Sequence, residues 1–146
     1  MIKKIAIASG NFDPIHSGHI DYLNMSAKLA DELIVLVNNN TQVKLKKKYP
    51  FMCEKGRLKI VANLKCVTMA VLSTDTEDTM QCKTLAKLRK QFPKDTLIYT
   101  NGGDVTAETH VKKEALACKN LGIKCAYRLG KKIESSSRLI KDGISK

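Results

Sequence analysis

The chain has 146 residues, of which 43% are hydrophobic and 27% are charged. This length is typical of one domain with its own core, so we expect a single domain over residues 1–146. No tract approaches the ~18 consecutive apolar residues of a membrane span, and the first residues lack the apolar region of a signal peptide. We therefore expect a cytoplasmic protein without a membrane partner.

The chain is strongly basic, with 26 Lys and Arg against 14 Asp and Glu and a formal net charge of +12. Such a charge raises nucleic acid as a partner. The lysines are spread along the chain, however, and aromatic residues, which would stack on bases, make up only 5% of it. We interpret the charge as a basic surface that attracts polyanionic small molecules, and we expect no nucleic acid partner. The 5 cysteines show no C-x-x-C spacing, so no protein metal site is predicted.

Strand and helix patterns alternate along the chain. Apolar runs predict five strands, at residues 2–8, 32–37, 67–72, 96–100 and 123–127. Helical periodicity and capping residues predict five helices, at residues 18–29, 54–64, 79–91, 107–121 and 135–141. The segment between the second strand and the second helix is interpreted as a long loop. This order predicts an α/β fold, a doubly wound five-stranded parallel sheet that binds ligands at the carboxyl ends of its strands.

The stretch SGNFDPIHSGH, residues 9–19, is the most informative part of the sequence. It lies where the first strand becomes the first helix, and Gly10 and Pro14 predict a turn between them. A helix start offers unpaired backbone N–H groups and the positive end of the helix dipole, which stabilise phosphate. The imidazoles of His16 and His19, one turn apart, can add N–H donors to the same phosphates. The sequence therefore predicts a phosphate site at this junction.

This stretch resembles the G-x-F-D-P-x-H-x-G-H signature of the cytidylyltransferase-like nucleotidyltransferases, in particular the heptose-phosphate adenylyltransferase and glycerol-3-phosphate cytidylyltransferase branch. The resemblance implies a Rossmann-like fold and transfer of a nucleotidyl group from a nucleoside triphosphate with release of pyrophosphate. It implies that His16 and His19 are catalytic and stabilise charge on the triphosphate. Further nucleotide contacts are implied for Ser9, Gly10, Asn11, Phe12 and Gly18. Asp13 is assigned to acceptor binding, although a role in holding the motif turn is an equal alternative.

Two further blocks lie between the second strand and the second helix. Lys46 and Lys47 resemble a basic pair that reaches the triphosphate or the acceptor phosphate, which implies a catalytic role for Lys46 and nucleotide binding for Lys47. Arg57 matches the arginine of the family's E-x-R element and is assigned to acceptor binding. Asn40 stands where the family has an acid, which puts one local contact in doubt, and Gly56 predicts a less regular helix start.

Two late blocks complete the resemblance. Residues Asn101, Gly102, Gly103 and Asp104 resemble a G-G-D turn whose small residues let the backbone approach the nucleotide, and this variant favours ATP over CTP. A plain left-handed turn is the alternative interpretation. Residues Ser135, Ser136, Ser137 and Arg138 resemble an element at a helix start that binds the β- and γ-phosphates, with an ordinary helix cap as the alternative.

The reaction implied by the resemblance is attack of an acceptor phosphate oxygen on the α-phosphorus of a nucleoside triphosphate. Mg²⁺ is the expected cofactor, bridging the triphosphate. The acceptor is a phosphorylated small molecule such as a sugar or polyol phosphate. The alternatives are glycerol-3-phosphate, an amino-alcohol phosphate, FMN, a pantetheine phosphate and a nicotinamide nucleotide. A catalytically weak nucleotide- or RNA-binding member is the rival from another class. A homodimer is expected by family analogy.

Overall fold

The structure is a computed structural model that describes residues 1–130. Its strands are β1 (Lys4–Gly10), β2 (Glu32–Val37), β3 (Met69–Leu72), β4 (Thr96–Gly102) and β5 (Lys124–Leu129). Its helices are α1 (Ser17–Lys28), α2 (Asn40–Lys46), α3 (Glu54–Ala62), α4 (Cys82–Gln91) and α5 (Lys112–Asn120). The helix predicted at 135–141 lies outside the described residues.

The five strands form one parallel sheet in the order β3-β2-β1-β4-β5. The chain moves outward from β1 in one direction through β2 and β3, and then returns to the other side of β1 with β4. This reversal opens a crevice between the carboxyl ends of β1 and β4, where doubly wound sheets bind their ligands. The predicted α/β fold is confirmed.

Alternate residues of the central strands build two separate cores. Ile5 and Ile7 of β1 pack with Leu85 of α4 and Cys118 of α5 on one face. The intervening alanines of β1 pack on the other face with Leu23 of α1 and the buried part of α3. The N-termini of α1 and of the α4–α5 pair therefore approach the carboxyl edge of the sheet from opposite faces.

Helix α2 corrects the predicted long loop. It is a short helix without a clear apolar period, but it begins with a capping box in which Asn39 and Gln42 bond each other's backbone N–H groups at 2.9 and 3.1 Å. An Asn followed three residues later by Gln is a sequence signature of a helix start. This signal was present and could have predicted the helix.

Several element ends also differ from prediction. β1, β4 and β5 each run two residues further toward the ligand edge, and α5 begins at Lys112 rather than 107. α4 begins at Cys82 rather than 79, and the carboxylate of Asp75, from the preceding loop, accepts from Lys83 N and Thr84 N in its first turn at 2.9 Å. Within residues 1–130, no helix is both long and apolar enough to cross a bilayer.

Candidate functional site

A cavity of about 780 Å³ lies at the carboxyl ends of the strands. On one side it is lined by residues 9–11 and by His16, Gly18 and His19, which we call the motif wall. On the other side it is lined by residues 79–81 and 109–111 and by Glu114, which we call the far wall. Lys46 and Lys47 and the turn at residues 101–104 complete the rim. The volume is within the range of small-molecule sites.

The two motif histidines form the cap of helix α1. His16 Nδ1 accepts from Gly18 N at 3.1 Å, and His19 Nδ1 accepts from His16 N at 3.1 Å, which makes a reciprocal capping box. The two rings stack with their centroids 3.8 Å apart. Because each Nδ1 accepts a backbone N–H, each neutral ring carries its proton on Nε2. The local hydrogen bonds thus select the tautomer with an Nε2–H donor on both rings that line the cavity.

The pKa of His19 is about 4, well below its ordinary value. Burial is the main cause, and the nearby His16 and Lys47 add to it. His19 is therefore a neutral donor at physiological pH. A neutral imidazole at a helix N-terminus keeps its capping bond, whereas protonation at Nδ1 would break it.

Phe12 and Gly10 set the position of His19. Phe12 is buried, has a left-handed backbone (φ 52°), and presents its ring to His19 edge-on at 5.0 Å. The ring also covers Gly10, where a Cβ would lie 3.0 Å from the terminal ring carbon. Glycine is required at this position because any side chain would displace the aromatic ring. Phe12, predicted to bind nucleotide, thus lies beneath the motif wall and does not line the cavity.

Buried hydroxyls fasten the floor of the cavity between β1 and β4. Tyr22 of α1 donates to Thr100 O at 2.8 Å and accepts from Ser9 N at 3.2 Å. Burial raises the pKa of Tyr22 to about 12. The hydroxyls of Ser9 and Tyr99 lie 2.8 Å apart. This network holds the strand ends together where the sheet order reverses.

Asp13 is fully buried and joins the histidine motif to the lysine-rich segment. Its carboxylate accepts from Phe51 N at 2.7 Å and Met52 N at 2.6 Å. Lys47 Nζ lies 3.5 Å from the carboxylate and donates to the Asp13 carbonyl at 2.6 Å. These contacts fit the alternative role of Asp13, which is to hold the motif turn, and its assignment to acceptor binding stays a prediction.

Arg57 is also fully buried, and its contacts likewise fix the protein. Its guanidinium donates to the carbonyls of Met52 and Asn11 at 3.0 and 2.9 Å and to the Asn40 side chain at 3.0 Å. Asn40 Oδ1 also accepts from Glu54 N at 3.0 Å. Burial lowers the pKa of Arg57 against the opposing effect of Asp13. Arg57, predicted to bind the acceptor, supports the loops that carry Asn11 and Lys47.

The turn at residues 101–104 leaves open space beside the cavity. Asn101 ties β4 to β5 through a bond to Ala126 O at 3.1 Å. Neither Gly102 nor Gly103 has a positive φ, and a Cβ on Gly102 would meet nothing within 4 Å. The left-handed turn alternative is therefore wrong. The backbone does not require these glycines, which favours their role in close approach of a ligand.

The far wall was missed by sequence reasoning, which gave His110 no role. His110 Nε2 and Glu114 Oε1 lie 2.9 Å apart, and His110 Nδ1 lies 2.9 Å from the Tyr127 hydroxyl. The other Glu114 oxygen accepts from Gln81 N at 2.8 Å. This buried group fixes the N-termini of α4 and α5 to each other. Only its spacing of His and Glu four residues apart was visible in sequence.

The predicted site residues thus fall into three groups. Those lining the cavity are Ser9, Gly10, Asn11, His16, Gly18, His19, Lys46, Lys47, Asn101, Gly102, Gly103 and Asp104. Those buried beneath it are Phe12, Asp13 and Arg57. Ser135, Ser136, Ser137 and Arg138 lie outside the described residues.

The model of the cytidylyltransferase-like family matches residues 7–141. The chain belongs to this family. The match covers the motif wall, the far wall and the late serine-rich element, so the predicted resemblance to this family is confirmed and extends over nearly the whole chain.

Relatives place the chain near adenylyltransferases. An FAD synthase of Methanocorpusculum labreanum is 47% identical over 76 residues, which are 52% of this chain and 53% of that protein. The bifunctional protein HldE of Hydrogenovibrio crunogenus is 37% identical over 84 residues, which are 56% of this chain and 18% of that protein. The matched segment thus spans about half, or less, of each relative.

A solved structure extends the likeness to the complete fold. The lipopolysaccharide core biosynthesis protein from Thermoplasma volcanium GSS1 superposes with a TM-score of 0.67 at 30% identity. The alignment covers 88% of this chain and 98% of that one. Both chains share the family's Rossmann-like architecture.

Proposed function

We propose that this chain is a nucleotidyltransferase that transfers AMP from ATP to a phosphorylated small-molecule acceptor. The observation that carries this proposal is the paired histidine cap of α1, which offers two Nε2–H donors at a helix N-terminus lining the cavity. Donors in fixed positions stabilise charge that develops on phosphoryl oxygens, and they need no rearrangement during the reaction.

The proposed step is an in-line displacement. An acceptor phosphate oxygen forms a bond to the α-phosphorus, the bond from the α-phosphorus to the bridging oxygen of the β-phosphate breaks, and that oxygen leaves with pyrophosphate. The attacking phosphate oxygen is already anionic, so no general base is required. His16 and His19 hold the triphosphate, and Lys46 and Lys47 at the rim balance the charge of the acceptor phosphate.

Mg²⁺ fits this site as a partner of the nucleotide. Among residues 1–130, no group of three or more His, Cys, Asp or Glu could hold a metal ion. Mg²⁺ often keeps several waters and binds mainly through substrate phosphates, so a protein cage is not required. When bound, the ion supplies charge neutralisation to the phosphates.

FMN is the first acceptor to test. FAD consists of AMP joined to FMN, and a relative 47% identical over 76 residues is named FAD synthase. A sugar phosphate is the second candidate, favoured by the HldE match and by the G-G-D variant at residues 102–104.

The test is pyrophosphate release from ATP or CTP with Mg²⁺, with FMN, heptose phosphate or glycerol phosphate as the acceptor. We expect release that requires ATP and one acceptor together. Binding of nucleotide without release for any pair would contradict the transferase and favour the nucleotide-binding alternative.

A further inference from the structure

Three side-chain amides form a chain of hydrogen bonds that begins at Gln81 of the far wall and crosses the floor of the cavity. Gln81 Nε2 donates to Asn38 Oδ1 at 2.6 Å, and Asn38 Nδ2 donates to Asn11 Oδ1 at 2.7 Å. This series of hydrogen bonds runs from the N-cap of α4 past the end of β2 to the end of β1. It links the far wall to the motif wall.

The pattern of hydrogen bonds fixes which end of each of the three amides carries the oxygen. Reversing one amide would place two oxygens or two nitrogens opposite each other. Reversing all three would bring Gln81 Oε1 against the Thr79 carbonyl, which now lies 3.4 Å from Gln81 Nε2. Gln81 Oε1 is therefore the acceptor at the far-wall end of this series of hydrogen bonds.

That terminal oxygen has no partner within residues 1–130, and no other buried side-chain nitrogen or oxygen in that range is unpaired. Gln81 is 1% exposed and lines the cavity. A buried carbonyl without a hydrogen bond is unfavourable, and native proteins rarely leave one unless a ligand or water completes it. Gln81 cannot turn away, because its backbone N–H is held by Glu114 and its amide nitrogen by Asn38.

The charge of the far wall restricts which kind of ligand could bond to the Gln81 oxygen. In the described part of the chain, no Lys or Arg belongs to this wall, and its one carboxylate, Glu114, is paired with His110. An anionic group here would meet no cation. Met80, Val111 and Tyr99 contribute apolar and aromatic side chains to the lining of the cavity. The wall thus suits an uncharged flat ring with one polar edge.

We propose that Gln81 Oε1 determines acceptor specificity by accepting a hydrogen bond from an N–H group on a neutral planar heterocycle, such as the imide edge of a flavin. The inference rests on the proposed function and names the substrate class of the same site. Because Gln81 is almost fully covered, the contact forms on binding, when the ring displaces the side chains above the amide. The acceptor phosphate then lies toward Lys46 and the motif wall.

The experiment compares FMN with FMN methylated at its imide nitrogen, which lacks the N–H donor. Acceptor and ATP kinetics are measured for the wild-type protein, Gln81→Met, Gln81→Glu and Gln91→Met. Gln91→Met is the matched control, since it makes the same substitution at the exposed far end of α4. Gln81→Glu keeps an acceptor oxygen and loses the bond to Asn38.

We expect wild type to favour FMN over the methylated compound by about 10–100-fold in kcat/KM, because methylation removes the donor and leaves the carbonyl unpaired. Gln81→Met should reduce this ratio to near one with the KM for ATP unchanged. Gln81→Glu and Gln91→Met should preserve the ratio. A merely structural Gln81 would affect both flavins equally, so an unchanged ratio in Gln81→Met overturns the inference.

Two outcomes separate this inference from the proposed function. Turnover with a sugar phosphate but not with FMN overturns the flavin inference and leaves nucleotidyl transfer standing. Without turnover for any acceptor, the proposed function fails, and flavin fluorescence still measures binding of both compounds. Equal wild-type affinity for the two flavins would then overturn the inference without the use of any variant.

Discussion

The hydrogen bonds that hold the two walls of the cavity differ in the sequence separation of the residues they join. The motif wall is local: His16, Gly18 and His19 lie within one helical turn and bond one another's backbone. The far wall is assembled across the chain: Gln81 bonds Glu114, 33 residues away, and Asn38, 43 residues away. The local wall presents donors suited to phosphate, whereas the assembled wall presents one unpaired acceptor and no cation. Under the proposed function, the motif wall acts on the phosphates and the far wall recognises the acceptor.

The largest difference between the two walls is expected when a hydrogen-bond donor is removed from the motif wall. We expect His16→Asn to lower kcat by about 10²–10³-fold with little change in either KM, because the Nε2–H acts mainly on the charge of the transition state. Asn is a good N-cap and preserves the start of α1. Steady-state kinetics with both substrates provide the measurement.

The matched change in the far wall is Glu114→Gln. It weakens the hold on Gln81 N and His110, so we expect the acceptor KM to rise more than kcat falls. If His16→Asn and Glu114→Gln changed kcat and the acceptor KM in the same way, the two walls would not have the separate roles proposed for them.

The stability of the motif wall depends on Asp13. Asp13→Asn removes the carboxylate that lies beside Lys47 and the buried Arg57, and we expect a loss of about 3 kcal/mol in the free energy of unfolding. Urea denaturation measures it. Glu77→Gln is the control, since Glu77 and Lys83 form an exposed pair at 3.8 Å that should contribute less than about 0.5 kcal/mol. A small loss for Asp13→Asn would mean that the lysine-rich segment holds the motif wall without this carboxylate.

What the sequence could predict follows the same division. The strands, α1 and the motif histidines were predictable because periodicity and capping are local signals. The burial of Asp13 and Arg57 was not predictable, because it depends on contacts with residues far away in the sequence. The far wall was not predictable, because Asn38, Gln81 and Glu114 meet only after the sheet brings β2, α4 and α5 together.

The pH dependence of stability tests the neutral state of the motif wall. The pKa of His19 is about 4 when folded and near 6.5 when unfolded, so between these values the unfolded chain binds more protons. Stability should therefore fall as the pH decreases from 6.5 to 4, by about 2 kcal/mol from this group after allowance for its partial exposure. Urea denaturation at several pH values measures this for wild type and His19→Asn. Parallel curves for the two proteins would show that His19 is not the group responsible.

Two glycine substitutions test why the motif wall is rigid. In Gly10→Ala the new Cβ would lie 3.0 Å from the Phe12 ring, so the ring must shift. The shift disturbs the edge contact between Phe12 and His19. We expect a loss of about 1–3 kcal/mol, as for other overpacked sites, together with a lower kcat. In Gly56→Ala, within α3, the Cβ meets nothing within 4 Å, and alanine should stabilise the helix by about 0.5–1 kcal/mol. Thermal unfolding should therefore move in opposite directions for the two variants. If Gly10→Ala lost neither stability nor activity, the Phe12 ring would be free to move, and the position of His19 would depend on its capping bonds alone.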